Sequence, residues 1–207
     1  MSENRLAAQL RFIVEVDRLK TVLRRTWLTD GSRRENSAEH SWHLALMAVL
    51  LSDHAPAGSD LSRVVRMLLV HDVVEIDAGD TFAYDAGANR DRAVRERVAA
   101  DRLFGLLPPD QAVTLRSLWD EFEAGETPDA RFALALDRLQ PLLQNVHSDG
   151  GAWRTHGVTR EQVLERMRPI EAVSAEVWGY VEDAVNRVWA AGWLGDGGHA
   201  PPAPEGD

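Results

Sequence analysis

Two imidazoles and two carboxylates stand out in this chain because they interrupt stretches that are otherwise apolar. His40 lies in Glu39-His40-Ser41-Trp42-His43. His71 and Asp72 directly follow Met67-Leu68-Leu69-Val70, and Asp137 ends Phe132-Ala133-Leu134-Ala135-Leu136-Asp137. An ionised carboxylate or unpaired imidazole is costly to bury unless it is paired, hydrogen-bonded or bound to a metal. One divalent cation held by His40, His71, Asp72 and Asp137 would meet that cost. A mixed imidazole and carboxylate set without thiolate suits Mn, Fe, Co, Ni or Zn. On a six-coordinate ion these four would leave positions for water and a substrate oxygen, which a hydrolase requires. Taken singly the features weigh little. A His-Asp dipeptide arises by chance, His43 reads as a packed or hydrogen-bonded residue, and Asp137 alone reads as a solvated helix position. Their combination, in order and on apolar helices, carries the reading.

Those residues need helices to position them, and nearly every segment reads as helix, with no alternation long enough to predict a strand. Helical spacing is expected over residues 5–25, then a turn at Asp30-Gly31-Ser32. Asn36, with Glu39 three residues on, has the form of a capping box for a buried helix over 37–51. A second buried helix is expected over 61–75, an exposed charged one over 89–105, and another from Pro108-Pro109 to Ala124. Thr127-Pro128 opens the helix that carries Asp137, and helices over 159–170 and 174–191 follow. Adjacent helical residues point about 100° apart, so His71 and Asp72 share an ion only if it lies at the helix end. The start of the 37–51 helix would meet that end if the two pack antiparallel, with Asp137 closing the site from a third helix. The expectation is one all-α domain over residues 1–194, followed by a disordered Gly/Pro-rich tail over 195–207.

Composition narrows the function classes. The 207 residues are 44% hydrophobic and contain no cysteine, which excludes disulfides, thiolate zinc sites and a cysteine nucleophile. A formal charge of −10 argues against a broad nucleic-acid surface but leaves room for a small nucleotide held by one or two arginines. The opening MSENRLAAQL lacks a signal-peptide core, and the apolar runs near 44–51 and 64–74 are too short to span a bilayer. A cytoplasmic protein without membrane or nucleic-acid partners is expected. Trp119, Trp153, Trp178, Trp189 and Trp193 in the C-terminal half suggest a homodimer or higher homo-oligomer.

The string Arg34-Glu35-Asn36-Ser37-Ala38-Glu39-His40-Ser41, then His71-Asp72-Val73-Val74-Glu75, Gly79-Asp80 and Leu136-Asp137, resembles the HD-domain superfamily of metal-dependent phosphohydrolases. Within it the likeness runs to the 5′-deoxyribonucleotidase-like family and covers about Arg11 to Gln144. The resemblance implies an HD-domain helical bundle with a central metal site and His40, His71, Asp72 and Asp137 as the H…HD…D ligands. It also implies Glu75 as the catalytic acid or base and Asp80 as a substrate-site residue. An Arg-Trp pair upstream of the first histidine contacts substrate in that family. Here Arg24-Arg25-Thr26-Trp27 fills the region with the two types not adjacent, and Arg25 and Trp27 are the candidate substrate contacts, with Arg24 the alternative for phosphate.

The expected substrate is a small phosphate ester, foremost a (deoxy)nucleoside 5′-monophosphate. Glu75 lies one helical turn after His71 on the same side, so it can stand beside the ion and exchange a proton without binding the metal. The alternatives are an HD hydrolase acting on a triphosphate or signalling nucleotide, and a non-catalytic metal-stabilised scaffold.

Overall fold

The computed structural model describes residues 4–195. The expected tail lies outside the described residues from position 196 onward. Helix α1 (Arg5–Val16) is capped by Asn4, whose side chain accepts from the Leu6 amide. The chain does not continue as one helix to residue 25. A 3₁₀ turn over Asp17–Thr21 leads into β1 (Leu23–Trp27), which pairs antiparallel with β2 (Arg34–Asn36). The pairing sets Leu23 opposite Asn36 and Trp27 opposite Arg34, with an irregularity between them. The hairpin escapes a periodicity reading because its strands are short and mostly polar. Its turn falls at the expected place, with Gly31 at φ 69° and the Asp30 carboxylate accepting from the Ser32 amide.

Helix α2 (Ser37–Leu50) opens on the capping box read from the sequence. The Asn36 side chain accepts from the Glu39 amide at 3.0 Å, and the Glu39 carboxylate accepts from the Asn36 amide at 3.3 Å. Asp60 caps α3 (Leu61–Val70). The expected continuous helix to residue 75 is broken: His71–Val74 form a 3₁₀ turn and α4 is the short segment Glu75–Ala78, closed by Gly79 at φ 74°. A tighter turn inserted in a helix rotates the side chains that follow it, a device common at functional sites.

Next come α5 (Arg92–Phe104), α6 (Pro109–Ala124) and the long α7 (Pro128–His147), whose cap is Thr127. Proline at 141 lies inside α7. A proline has no N–H, so the carbonyl four residues earlier, that of Asp137, loses its regular helical donor. A short α8 (Gly151–His156), not expected from the sequence, precedes α9 (Arg160–Met167), a 3₁₀ turn at Arg168–Ile170 and α10 (Ala175–Ala190).

Helix α2 packs on α3 and α7. The larger core joins Leu44 and Met47 of α2, Met67 and Leu68 of α3, and Phe132 and Leu136 of α7 with side chains from α9 and α10. A second core joins Leu19, Val73 and Val74 to Leu103 and Phe104 of α5 and Trp119 of α6. Each fully buried side chain of this kind contributes about 1.5–3 kcal/mol. His71 and Asp72 fall between Leu68 of the first core and Val73 of the second, so apolar packing holds the polar dipeptide on both sides.

Candidate metal centre and its cleft

The three segments flagged in the sequence converge. One donor atom from each of His40, His71 and Asp72 falls within 4.8 Å of the others. Asp137 joins them: its Oδ1 lies 3.0 Å from His40 Nε2 and 3.8 Å from His71 Nε2. The two imidazole rings are 5.5 Å apart. The break of the helix at His71 lets neighbours in sequence serve one point, with Asp72 Oδ1 3.1 Å from His71 Nε2 and Asp72 Oδ2 3.8 Å from His40 Nε2.

Each imidazole is held by its outer nitrogen. His71 Nδ1 donates to the Leu68 carbonyl at 2.7 Å. His40 Nδ1 donates to the Gln140 side-chain oxygen at 3.0 Å, and the Gln140 amide donates to Glu35 Oε1 at 2.7 Å. Both rings therefore present Nε2 to the centre. His71 Nε2 is buried and has no hydrogen-bond partner among the described residues, since Asp72 lies near it but off the bonding direction. A buried nitrogen lone pair with no donor, facing two carboxylates, is what a divalent cation satisfies. The donor set fits such an ion.

The electrostatics of the bare centre agree. Burial works against charge on His71, but Asp72 and Asp137 outweigh it and push the imidazole up to about 9. Burial and Arg24 likewise oppose charge on His40, and its contacts with Asp137, Glu35 and Asp72 raise it nonetheless. Burial would raise Asp72 and Asp137, yet both are held well below the carboxylate range, Asp72 chiefly by His71 and Arg24 and Asp137 chiefly by His40. The two carboxylates thus favour positive charge at the point between them.

Glu75 is buried at the first position of α4, and its Oε2 accepts from Ser37 Oγ at 2.6 Å. Burial and the nearby Asp72 push its carboxyl well above the usual range. Asp80 is raised by burial, with Arg24 opposing. Arg24, on β1, donates to Asp72 Oδ2 at 2.7 Å and lies 3.8 Å from both Glu35 and Asp80. Arg25 points the other way along the strand and is exposed, though it borders the mouth of the cleft. Trp27 is half-buried at the end of β1 and is not among the residues lining the cleft. His43 reaches Gln140 at 3.3 Å, the hydrogen-bonded role read for it.

Asp72 and Asp137 of the centre, with Glu75, Asp80 and Arg24, line an open cleft of about 710 Å³, the solvent at its mouth included. Phe82, Tyr84, Trp153 and Met167 give it an apolar wall, and Arg92, Arg138 and Arg166 line it alongside the centre. Glu35, Gln140, Arg138 and Arg166 had no role in the sequence reading. Glu35 stood inside the first motif, five residues before His40, and is the one with a sequence signal.

Known proteins share this arrangement of segments. The family model for the HD domain matches residues 16–178. A solved structure described as a predicted metal-dependent phosphohydrolase from Magnetospirillum magnetotacticum MS-1 is 57% identical and covers 92% of this chain and 98% of its own, with a TM-score of 0.87. The PH0347 protein from Pyrococcus horikoshii OT3 shares the fold at 23% identity and a TM-score of 0.63, over 88% of this chain and 99% of its own. The 5′-deoxynucleotidases HDDC2 of Xenopus laevis and Homo sapiens are each 32% identical over 136 residues. Those matches cover 65% of this chain and 66% and 65% of the two relatives, so the chain spans just under two thirds of their length. With a family model extending over the hairpin, the centre and most of the helical framework, this chain belongs to the HD domain family.

Proposed function

We propose that this chain is a metal-dependent phosphohydrolase that removes phosphate from a small phosphate ester, foremost a (deoxy)nucleoside 5′-monophosphate. The observation that carries the reading is the pair of imidazoles locked from outside so that both Nε2 atoms face Asp72 and Asp137 on the floor of a cleft. The names of the relatives, a metal-dependent phosphohydrolase and 5′-deoxynucleotidases, support it. His40, His71, Asp72 and Asp137 would hold one divalent ion, of the Mn, Co, Fe, Ni or Zn type. When bound, such an ion polarises a phosphoryl oxygen and makes a coordinated water acidic enough to act as nucleophile near neutral pH.

The remaining roles belong to the chain. Glu75, with Oε2 engaged by Ser37 and its carboxyl raised by burial, would act as general base toward water or donate a proton to the leaving oxygen. Arg24 fixes Asp72 through one guanidinium nitrogen and offers its other donors to the phosphoryl group. Arg25 supplies positive charge at the mouth. Asp80, which lines the cleft, would hydrogen-bond a sugar hydroxyl, and the aromatic wall of Phe82, Tyr84 and Trp153 would offer a face to a base. Trp27 contributes by holding the hairpin that carries Arg24. The competing reading of an HD hydrolase for a triphosphate or signalling nucleotide uses the same centre.

The test is phosphate release from a panel of nucleoside mono-, di- and triphosphates with Mn, Co, Mg and Zn. Metal-dependent release from a 5′-monophosphate is expected; metal binding with no turnover of any ester would leave a scaffold. The proposal includes residues 1–194 as one domain and a cytoplasmic location. Among the described residues no helix is long and apolar enough to cross a membrane. It also includes a homo-oligomer, supported by exposed Leu10, Ile13 and Val14 on α1 and Trp42, Val49 and Leu50 on α2. Light scattering after size exclusion checks the last point.

A further inference from the structure

The cleft holds cations that the centre does not employ. Arg138 on α7 and Arg166 on α9 both line it. Among the described residues neither is ion-paired to a carboxylate. Two other arginines that line the same cleft are paired, Arg24 with Asp72 and Arg92 with Glu96. Acidic side chains outnumber lysines and arginines by 33 to 23, so partners are abundant. Two guanidiniums left together, both half-buried and each repelling the other, therefore require a reason. Like charges in a partly dry cleft are unfavourable until an anion from outside joins them.

The chemistry of that anion follows from the geometry. A guanidinium fork fits phosphate and carboxylate oxygens alike, but two forks match the double charge of a phosphoryl group. Arg138 directly follows Asp137, so the second anion lies next to the reacting phosphate and not at a remote surface. Tyr84, Trp153 and Met167 line the same cleft and give a nucleoside an apolar seat beside both anionic positions.

The geometry points to a second anion subsite, formed by Arg138 and Arg166, that receives a further phosphoryl group of the nucleotide. The inference deepens the phosphohydrolase reading and rests on it for the placing of the first phosphate. Two ligands carry that group differently: a nucleoside 5′-diphosphate beside the first phosphate, and a nucleoside 3′,5′-bisphosphate across the sugar.

The test is calorimetric binding of the 5′-monophosphate, the 5′-diphosphate and the 3′,5′-bisphosphate to the full chain with Mn²⁺. It uses the Glu75→Gln background to slow turnover, with and without Arg138→Gln and Arg166→Gln together. Neither arginine is ion-paired to a carboxylate, so their replacement breaks no salt bridge, and matched circular dichroism and Tm confirm the fold. The second phosphoryl group is expected to tighten binding by about tenfold or more, as charge-assisted contacts do, and the double substitution to abolish that gain. The ligand that shows the gain identifies where the second group sits. The subsite is refuted if neither doubly phosphorylated ligand binds tighter than the monophosphate. It is equally refuted if the gain survives the substitutions, or if all three affinities fall in parallel. Failure of the wider reading looks different: the binding pattern would hold while the wild-type chain hydrolyses nothing in the substrate panel. Absence of binding by every nucleotide overturns both.

Discussion

Replacing Gln140 by leucine should weaken metal binding without touching any of the four candidate ligands. Gln140 is fully buried and works in both directions, accepting from His40 Nδ1 at 3.0 Å and donating to Glu35 Oε1 at 2.7 Å. Leucine fills similar space and does neither. The His40 N–H and the Glu35 carboxylate each lose a buried partner, at about 1–3 kcal/mol apiece. Leucine's own burial offsets part of that, leaving a net loss of roughly 2–4 kcal/mol. For a chain of this size that corresponds to a fall in Tm of roughly 5–15 °C. With its outer nitrogen released, the His40 ring is no longer fixed with Nε2 toward Asp137. Loss of such an orienting contact typically costs about 10–100-fold in metal affinity. Titration calorimetry with Mn²⁺ or Co²⁺ well below the lowered Tm measures the second effect separately from the first. Glu35→Gln provides a graded control, because its amide oxygen still accepts from Gln140; a smaller loss is expected. If Gln140→Leu binds the ion within about threefold of wild type, the amide does not orient His40 and the positioning argument fails.

Four further outcomes follow from the centre. Glu75→Gln should retain the ion by elemental analysis and lose about 10²–10⁴-fold in kcat, the usual worth of a proton-transfer group; normal turnover would remove Glu75 from the chemistry. Metal affinity should rise with pH between about 6 and 9, by up to tenfold per unit for each proton displaced, because the ion must displace the proton that Asp72 and Asp137 hold on His71 up to about 9. The metal-free chain should show the opposite trend in stability: a raised imidazole stabilises below its ordinary value of 6.5 and loses that contribution as pH climbs through about 9, so Tm without metal should decline over that interval. A flat affinity profile would contradict protonated imidazoles in the bare centre. Addition of the preferred ion at 100-fold over its Kd to chelated protein should stabilise by about 2.7 kcal/mol and raise Tm by roughly 5–11 °C, and an unchanged Tm with every divalent ion tried would argue that none binds the folded chain.

The centre was readable where burial and chemistry conflict. His71 and Asp72 after a run of apolar residues stand out because such positions demand compensation, and His40 and Asp137, weak singly, join them by recurring in order on apolar helices. Gln140 carries no such signal, since an amide on an amphipathic helix reads as solvated. Only the fold brings it to His40, 100 residues away in the chain. The choice between Arg24 and Arg25 was undecidable while that segment was read as helix. In a strand successive side chains face opposite ways, and the pairing of Leu23 with Asn36 turns Arg24 inward and Arg25 out. The division of the 61–75 segment into helix, 3₁₀ turn and helix was also hidden, because apolar side chains run through all three and periodicity over so few residues does not separate a turn of three from one of 3.6. Helix starts fared better: Asn36, Asp60, Thr127, Thr159 and Ser174 each place a side-chain oxygen on an amide of the first turn, a local contact that needs no tertiary partner.

Proline at 141 has a mechanical consequence for the helix that carries Asp137. Its missing N–H releases the carbonyl of the very residue whose carboxylate faces the two imidazoles, so the longest helix among the described residues lacks a regular axial bond where it joins the centre. A rigid rod there would tie the carboxylate to the large core behind it. A compliant joint instead allows the carboxylate to follow cations of different radius while Phe132 and Leu136 stay seated. Tolerance for several divalent ions would then reside in one imino acid that never touches any of them.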